Sequence, residues 1–241
     1  LVTLHIFLNS IGDVGAIALS KSLKTNNTLR ELDISENNIG VDGAIALAES
    51  LKTNNTLRIL NLHFNNIGNA GCISLAESLK TNNTLRQLKL TSNKIGCTGC
   101  IALAESLKVN NTLVTLYIVF NKFGDAGAIA LAESLKTNNT LSDLYLTGNN
   151  IRDVGKEALA ESLKTNIGIR ELDICNFSMK YRISNFTMKS RISNYIVCHS
   201  WEPSIIVNLE DILEIDNLDI IYLLVIILKN IIPTEILFDI I

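Results

Sequence analysis

The feature that most constrains the fold is a repeat with a fixed period of 28 residues. An apolar residue opens each unit, at Leu1, Leu29, Leu57, Leu85, Leu113, Leu141 and Ile169. A period of this length indicates a solenoid, in which each unit packs only against its neighbours and the stacked units share one core. We therefore expect residues 1–175 to form one repeat domain of six full units and a partial seventh.

Each unit divides into two halves with different periodicity. It begins L-x-x-L-x-L-x-x-N-x-I, and this alternation predicts a strand. It continues into sequences such as GAIALAESLK, where Ile45, Leu47 and Leu51 lie among alanines within about one turn of one another. This half predicts a short helix packed closely on the strand layer.

Polar residues mark where each element begins and ends. The sequence predicts an N-cap for most helices, at Asp13, Asn69, Asp125 and Asp153, with Asp42 and Thr98 displaced by one position. The tripeptide TNN after most helices is expected to end the helix and turn the chain back. One asparagine per unit is expected to bond unpaired backbone groups at the strand end and to stack from unit to unit, at Asn9, Asn37, Asn65, Asn93, Asn121 and Asn149.

These framework residues resemble the leucine-rich repeats of the ribonuclease-inhibitor type, a 28-residue class that also occurs in NLR receptors and Ran GTPase-activating proteins. The resemblance implies an α/β leucine-rich-repeat solenoid of horseshoe shape, with a parallel sheet lining the concave inner face and helices on the convex outside. The motifs are specific for the fold. They do not specify a function, because the same scaffold serves many partners.

The strand residues that point away from the core vary while the helices hardly change. Rigid strands with variable exposed side chains are suited to recognition, and exposed aromatic residues are typical anchors of protein interfaces. We expect a protein-binding patch, with Lys94 and Lys122 beside it, made of His63, Phe64, Lys89, Tyr117, Val119, Phe120 and Tyr145. The alternative for Phe64 and Phe120 is that they pack into the turns between repeats.

Other chemistry finds little support in the sequence. The CTGC at 97–100 has the spacing of a redox or zinc motif, but Cys72 and Cys100 occupy a slot that Ala44 and Ala128 fill elsewhere, which favours packing. Asp33, Ser35 and His63 resemble a catalytic triad only by proximity, since an open sheet provides no oxyanion hole. No phosphate-binding glycine motif appears, and a net charge of −3 does not favour nucleic acid. We expect no enzyme activity, no cofactor and no metal.

The repeat pattern ends after 175. Residues 176–200 contain a nine-residue duplication, NFSMKYRIS and NFTMKSRIS, and are predicted to be a linker or a degenerate repeat. The isoleucine-rich segment 201–241 is predicted to cap the open end of the solenoid. Its apolar run from Ile220 to Leu228 is shorter than the roughly 20 residues that a membrane span needs. A tail under no selection, such as read-through of non-coding sequence, is the remaining alternative.

These observations predict a module that binds a protein partner through the concave face. Five scattered cysteines indicate reduced thiols in the cytoplasm, and the first residue, Leu1, already lies within a repeat, which suggests a fragment. The resemblance suggests an NLR-like sensor or regulator; the alternatives are a GTPase-regulating protein like the Ran activators, and a membrane-associated scaffold that uses Ile220–Leu228. Five Asn-Asn-Thr sequons matter only if the chain is secreted.

Overall fold

The computed structural model describes residues 1–174 and, as backbone, 180–184 and 195–199. Strands and helices alternate through the repeats. The strands are β1 (Thr3–His5), β2 (Glu31–Asp33), β3 (Ile59–Asn61), β4 (Gln87–Lys89), β5 (Thr115–Tyr117), β6 (Asp143–Tyr145), β7 (Glu171–Asp173), β8 (Lys180–Ser184) and β9 (Tyr195–His199). The helices are α1 (Gly12–Leu23), α2 (Val41–Leu51), α3 (Gly68–Leu79), α4 (Cys97–Leu107), α5 (Gly124–Leu135) and α6 (Asp153–Leu163).

The strands form one sheet in sequence order. From β1 to β7 neighbouring strands are parallel, and each residue pairs with the residue 28 positions later, as Leu32 does with Leu60. The predicted α/β repeat solenoid is thereby confirmed.

After β7 the sheet continues into two antiparallel strands, β8 and β9, which the sequence did not predict. They lie within 176–200, where a linker or degenerate repeat was expected. The predicted cap at 201–241 lies outside the described residues, as does Cys175, and it stays a prediction.

One apolar core runs through all the units. The central leucine of each strand from β2 to β7 is fully buried, and the helices cover the same layer with leucines and alanines. Leu47 and Leu51 belong to this core, but Ile45, which was predicted to pack there too, is 38% exposed. Two residues along a helix correspond to a rotation of about 200°, so Ile45 and Leu47 face opposite sides. Each fully buried leucine contributes roughly 2 kcal/mol by leaving water.

The asparagines at the strand ends form the predicted ladder. In Asn121, Oδ1 accepts hydrogen bonds from the backbone N–H of Asn93 and Ile95, at 3.0 and 2.9 Å. Its Nδ2 donates to the carbonyls of Leu90 and Ile118, at 3.0 and 3.1 Å. Because Asn121 is buried, this one side chain pairs polar backbone groups of two repeats that would otherwise be unsatisfied.

A second ladder ends the helices, as the TNN tripeptide predicted. Asn54 Nδ2 donates to the carbonyl of Leu23, the last residue of α1, and to the carbonyl of Asn26, at 2.8 and 3.1 Å. Its Oδ1 accepts from the N–H of Leu57 at 2.8 Å. The side chain thus caps the helix of the preceding repeat while it shapes the turn of its own. Further turns repeat this arrangement, at Asn82, Asn110, Asn138 and Asn166.

The prediction that acidic and amide residues cap their own helices is wrong. In none of the six helices of the described ranges does the side chain of the helix's own N-cap residue make a cap bond. Asp13 Oδ1 instead accepts from the N–H of Gly40 and Gly43, at 2.7 and 2.9 Å, at the start of the next helix, α2. Asn69 bonds α4 and Asp125 bonds α6 in the same way.

The physical reason is an alternation of two kinds of repeat. Helices α1, α3 and α5 begin at a glycine with φ between 58° and 61°, which starts the helix one residue earlier. Asp13 then lies within the first turn and faces the neighbouring helix. Gly40 has φ −98° and an extended conformation, and α2 begins only at Val41. The structural unit is therefore a pair of repeats.

Across the described ranges, no helix is both long enough and apolar enough to cross a bilayer.

Candidate functional site

The candidate site lies on the sheet face opposite the helices, which we call the open face. The central leucine of each three-residue strand points into the core, so the residues on either side of it point the other way. Parallel register then places residues of the same slot about 4.8 Å apart on neighbouring strands. From β3 to β7 one such row reads Asn61, Lys89, Tyr117, Tyr145 and Asp173.

Four predicted residues form one group on this face, which we call the aromatic cluster: His63, Lys89, Tyr117 and Tyr145. The rings of Tyr117 and Tyr145 are stacked, with centroids 4.2 Å apart and planes 2° from parallel. His63 meets Tyr117 edge-on at 6.0 Å, and Lys89 Nζ lies 5.7 Å from the centre of the Tyr117 ring. The stack follows from the register, since the two tyrosines are directly paired in β5 and β6.

His63 is held as a neutral ring. Its Nδ1 accepts a hydrogen bond from the backbone N–H of Thr91 at 2.9 Å, which assigns the ring hydrogen of the neutral form to Nε2. Burial and the nearby Lys89 charge lower the pKa of His63 to about 4, against the opposing effect of Asp33. At neutral pH His63 is therefore an uncharged hydrogen-bond donor through Nε2.

The tyrosine stack is fixed at its far end by an acidic residue. The Tyr145 hydroxyl donates to Glu171 Oε2 at 2.9 Å. Burial and this hydrogen bond raise the pKa of Tyr145 well above its usual range. Tyr145 is thus oriented by a partner 26 positions later in the chain.

Asp33 and Ser35 are not arranged with His63 as a catalytic relay. The Ser35 hydroxyl donates to Asp33 Oδ1 at 2.6 Å, and Asn61 Nδ2 donates to the other carboxylate oxygen at 2.9 Å. Burial alone would raise the pKa of Asp33, but these hydrogen bonds lower it below its ordinary value. The serine proton points at the carboxylate, while the Nδ1 acceptor of His63 is occupied by Thr91.

The other three predicted residues surround the cluster. Phe64 is 54% exposed, with its ring 6.3 Å from that of His63. Phe120 is 45% exposed, and its ring lies against the backbone of Gly148, where an added Cβ would come within 2.3 Å of Cδ1. Val119 lies half-buried on the open face. Phe120 therefore has the turn-packing role given as its alternative and also keeps an exposed edge.

The three cysteines of the described repeats do not form a reactive site. Cys72 and Cys100 are buried in the core, and burial raises the pKa of both thiols above the usual range. Cys72 Sγ donates to the carbonyl of Gly99 at 3.4 Å, while Cys97 is exposed on the helix side. Within the described residues, no group of histidine, cysteine and acidic side chains is placed to hold a metal ion.

Sequence reasoning missed the partners that orient the cluster, Thr91 and Glu171. A signal existed for Thr91, because it occupies the slot of His63 one repeat later. Glu171 gave no such signal, because the residue paired with Tyr145 on the next strand is Asp173, two positions after Glu171. The Tyr145 hydroxyl reaches Glu171 only because the tyrosine side chain is long.

Comparison with known proteins places this geometry in a family. A family model described as "Leucine Rich repeat" matches more than half of the chain, at residues 1–20, 25–48, 53–76, 81–104, 109–132 and 137–160. A solved structure titled "Leiomodin-1 Actin-Binding Site 2 (ABS2)" is similar in fold, with 24% identity and a TM-score of 0.50 over 56% of this chain and 79% of that chain.

A second solved structure, the tropomodulin C-terminal domain of Caenorhabditis elegans, is also similar. It has 17% identity and a TM-score of 0.49, over 57% of this chain and 84% of that one. No curated protein matches the sequence.

Proposed function

The chain belongs to the leucine-rich-repeat family, and from that premise we propose that it binds another protein through the open face and acts as a binding module rather than an enzyme. The observation that carries the proposal is the aromatic cluster. A stacked tyrosine pair with a histidine and a lysine beside it lies on a face that no described element covers. Tyrosine is enriched at interface centres because its rigid ring offers contact area at little entropic cost.

The surroundings of the cluster support a preformed site. His63 and Tyr145 are each held by a hydrogen bond from or to the next repeat, and the strands beneath them are fixed by the leucine core. A partner would therefore pay little to order these side chains. Phe64 and Phe120 extend the apolar surface at the edge, and the side chains of Lys94 and Lys122, which were predicted beside the patch, are exposed. Val119 completes the predicted contact set.

We place the protein in the cytoplasm. Four of the five asparagines that begin an Asn-Asn-Thr sequon are buried in the second ladder, where an attached glycan has no room, so passage through the secretory pathway conflicts with the fold. The NLR-like sensor and the GTPase-regulating alternative share this compartment and stay predictions.

The test is affinity capture with variants of the face. The immobilised chain and its Tyr117→Ala/Tyr145→Ala variant are incubated with cytosolic lysate, and bound proteins are quantified by mass spectrometry. A matched control, Glu77→Ala/Lys80→Ala, removes an exposed ion pair on the helix side. We expect that some proteins bind equally to the wild type and the control, and that their recovery on the tyrosine variant falls by about tenfold or more.

Equal recovery of every protein by all three chains would contradict the proposal, provided that circular dichroism shows the tyrosine variant to be folded. Purified actin is added to the same assay as a defined probe, because the similar leiomodin-1 structure is titled an actin-binding site. Actin is not the expected partner, since an identity of 24% shows similarity of fold alone.

A further inference from the structure

The charged groups of the open face are unevenly paired. Its carboxylates accept hydrogen bonds from neighbours on the same face: Asp33 from Ser35 and Asn61, Asp143 from Thr115, Glu171 from Tyr145, and Asp173 from Thr147. Lys89, in the same row, forms no ion pair with any residue in the described part of the chain. The lysines that do form ion pairs lie in a helix or directly after one; Lys52, for example, follows α2 and pairs with Glu49.

We propose that the open face recognises an acidic segment of its partner, one that places a carboxylate on Lys89 and an apolar side chain beside it on the Tyr117–Tyr145 stack. This inference rests on the proposed function and specifies the chemistry of the partner.

The geometry around Lys89 favours a carboxylate. Lys89 Nζ lies 5.7 Å from the centre of the Tyr117 ring, and His63 approaches the same ring edge-on at 6.0 Å. His63 carries its hydrogen on Nε2, because Thr91 occupies Nδ1. A cation and a neutral donor thus border one aromatic ring, and a carboxylate, which only accepts hydrogen bonds, complements both.

The same surroundings disfavour a phosphate or a nucleic acid. Strong phosphate sites usually combine arginines or several cations, whereas the row of Lys89 contains an aspartate, Asp173, beyond the tyrosine stack. A net charge of −3 adds long-range repulsion toward a polyanion. A single carboxylate carries less charge and matches one lysine.

The stack determines the second half of the ligand. Tyr117 and Tyr145 present parallel rings with centroids 4.2 Å apart. Phe64 follows the end of β3, Phe120 follows the end of β5, and both side chains are exposed. An aromatic or aliphatic side chain next to the carboxylate would bury its surface there. An extended segment of about eight residues spans roughly 25 Å, enough to cross from β3 to β7.

The test uses three fluorescein-labelled peptide pools of about that length. Each pool has one phenylalanine between two fixed positions and small neutral residues elsewhere. The fixed positions are glutamate in the acidic pool, glutamine in the amide pool and lysine in the basic pool. Binding to the full chain is measured by fluorescence polarisation. We expect the acidic pool to bind about tenfold more tightly than the amide pool, and added salt to reduce this difference.

Variants of Lys89 connect the preference to the residue. Lys89→Gln should remove most of the advantage of the acidic pool, and Lys89→Arg should keep it. Lys108→Gln is the matched control, because Lys108 pairs with Glu105 on a helix and should leave all three pools unaffected. Equal binding of the acidic and amide pools, an unchanged preference in Lys89→Gln, or no binding of the acidic pool up to about 1 mM would each overturn the inference.

The two proposals fail in distinguishable ways. If the amide or basic pool binds best and Tyr117→Ala/Tyr145→Ala abolishes that binding, the open face is a binding site and only its acidic preference is wrong. If the tyrosine variant changes neither the peptide binding nor the captured proteins, the proposed function itself is wrong.

Discussion

At the scale of single residues, the turn after each strand depends on a backbone conformation that side chains rarely adopt. Leu8, Glu36, Phe64, Ser92 and Phe120 all have φ between 51° and 59° at the same position of their repeats. A non-glycine residue in this region costs about 1 kcal/mol or more. The cost is offset by inter-repeat hydrogen bonds, such as that from the Phe120 N–H to the carbonyl of Thr147 at 2.8 Å.

Gly148 is the exception at this position, and it predicts an unequal response to substitution. Its φ is 74°, and an added Cβ would lie 2.3 Å from Cδ1 of Phe120. We expect Gly148→Ala to lower the free energy of unfolding by about 2 to 4 kcal/mol. Gly68→Ala, at φ 61° with nothing within 4 Å, should cost only about 1 kcal/mol.

Urea denaturation measures both changes. In a Phe120→Ala background the clash disappears, so Gly148→Ala should then cost no more than Gly68→Ala. Equal costs for the two glycines in the wild-type background would show that the Phe120 ring does not depend on this glycine.

His63 predicts a pH dependence of stability. Its pKa is lowered to about 4 in the fold by burial and by Lys89, while an unfolded histidine titrates near 6.5. Between these values the unfolded chain binds the extra proton, so the free energy of unfolding falls as the pH falls from about 7 to 4. The loss should be about 1 to 2 kcal/mol, because solvent screens a half-buried ring.

The measurement compares urea midpoints of the wild type and His63→Asn across this range. Asparagine can still accept the Thr91 N–H but does not titrate, so its curve should be flatter between pH 4 and 6.5. The contribution of the lowered Asp33 pKa falls mainly below this window and is common to both chains. Parallel curves would contradict the assignment.

At the scale of elements, the starts of α2, α4 and α6 are stabilised by a side chain of the preceding repeat. Asp125 Oδ1 accepts from the N–H of Arg152 at 2.7 Å and of Gly155 at 3.2 Å, both at the start of α6. Asp125→Ala should therefore cost about 1 to 2 kcal/mol and speed amide exchange in the first turn of α6. Hydrogen exchange by NMR measures the effect residue by residue.

The matched control is Asp153→Ala. The Asp153 side chain is 92% exposed and contacts Lys156 at 3.5 Å, so its loss should change stability by less than about 0.5 kcal/mol. Faster exchange at the start of α5, with α6 unaffected, would mean that Asp125 caps its own helix after all.

This capping pattern also shows what the sequence could and could not predict. The 28-residue period predicted the strands, the helices, the core leucines and the asparagine ladder at the strand ends, because stacking requires each unit to repeat the same contacts. The TNN tripeptide predicted the helix ends but not the second ladder that its asparagines form. The alternation of helix starts was missed because it has twice that period. The residues that bond the next helix, Asp13, Asn69 and Asp125, occupy one slot in alternate repeats, and the other repeats have Val41, Cys97 and Asp153 there.

The candidate site was predictable to a similar extent. Tyr117 and Tyr145 share a slot in neighbouring repeats, so their proximity follows from the 28-residue period alone. Their rings stack because the two residues are directly paired on neighbouring strands. The packing of Phe120 on Gly148 depends on a left-handed backbone at both residues, which the hydrophobic pattern does not encode. The position of the hydrogen on the neutral His63 ring depends on a backbone N–H, which any residue at position 91 except proline would provide.

At the scale of the whole molecule, the second asparagine ladder connects the fold to the compartment in which the chain can mature. Asn54, Asn82, Asn110 and Asn138 are only 4 to 6% exposed, and each begins an Asn-Asn-Thr sequon. Each Nδ2 donates two hydrogen bonds to the preceding repeat, so both of its hydrogens are used. A glycan would replace one hydrogen and force buried groups into water.

This predicts that the chain folds in the cytosol and misfolds when it is routed through the secretory pathway. With an added signal peptide in mammalian cells, the wild-type chain should gain glycans that an endoglycosidase removes, and it should be retained as aggregate.

The comparison variant has valine in place of the sequon threonines and keeps every ladder asparagine; the changed positions are Thr28, Thr56, Thr84, Thr112 and Thr140. Both chains also carry Ser178→Ala and Thr187→Ala, which remove the two sequons of the tail. The Thr56 hydroxyl makes only long hydrogen bonds of 3.4 and 3.5 Å, so valine should cost little, and the variant should be secreted folded. A wild-type chain that is secreted with glycans on the ladder asparagines and unfolds at the temperature of the valine variant would refute the link between the ladder and the compartment.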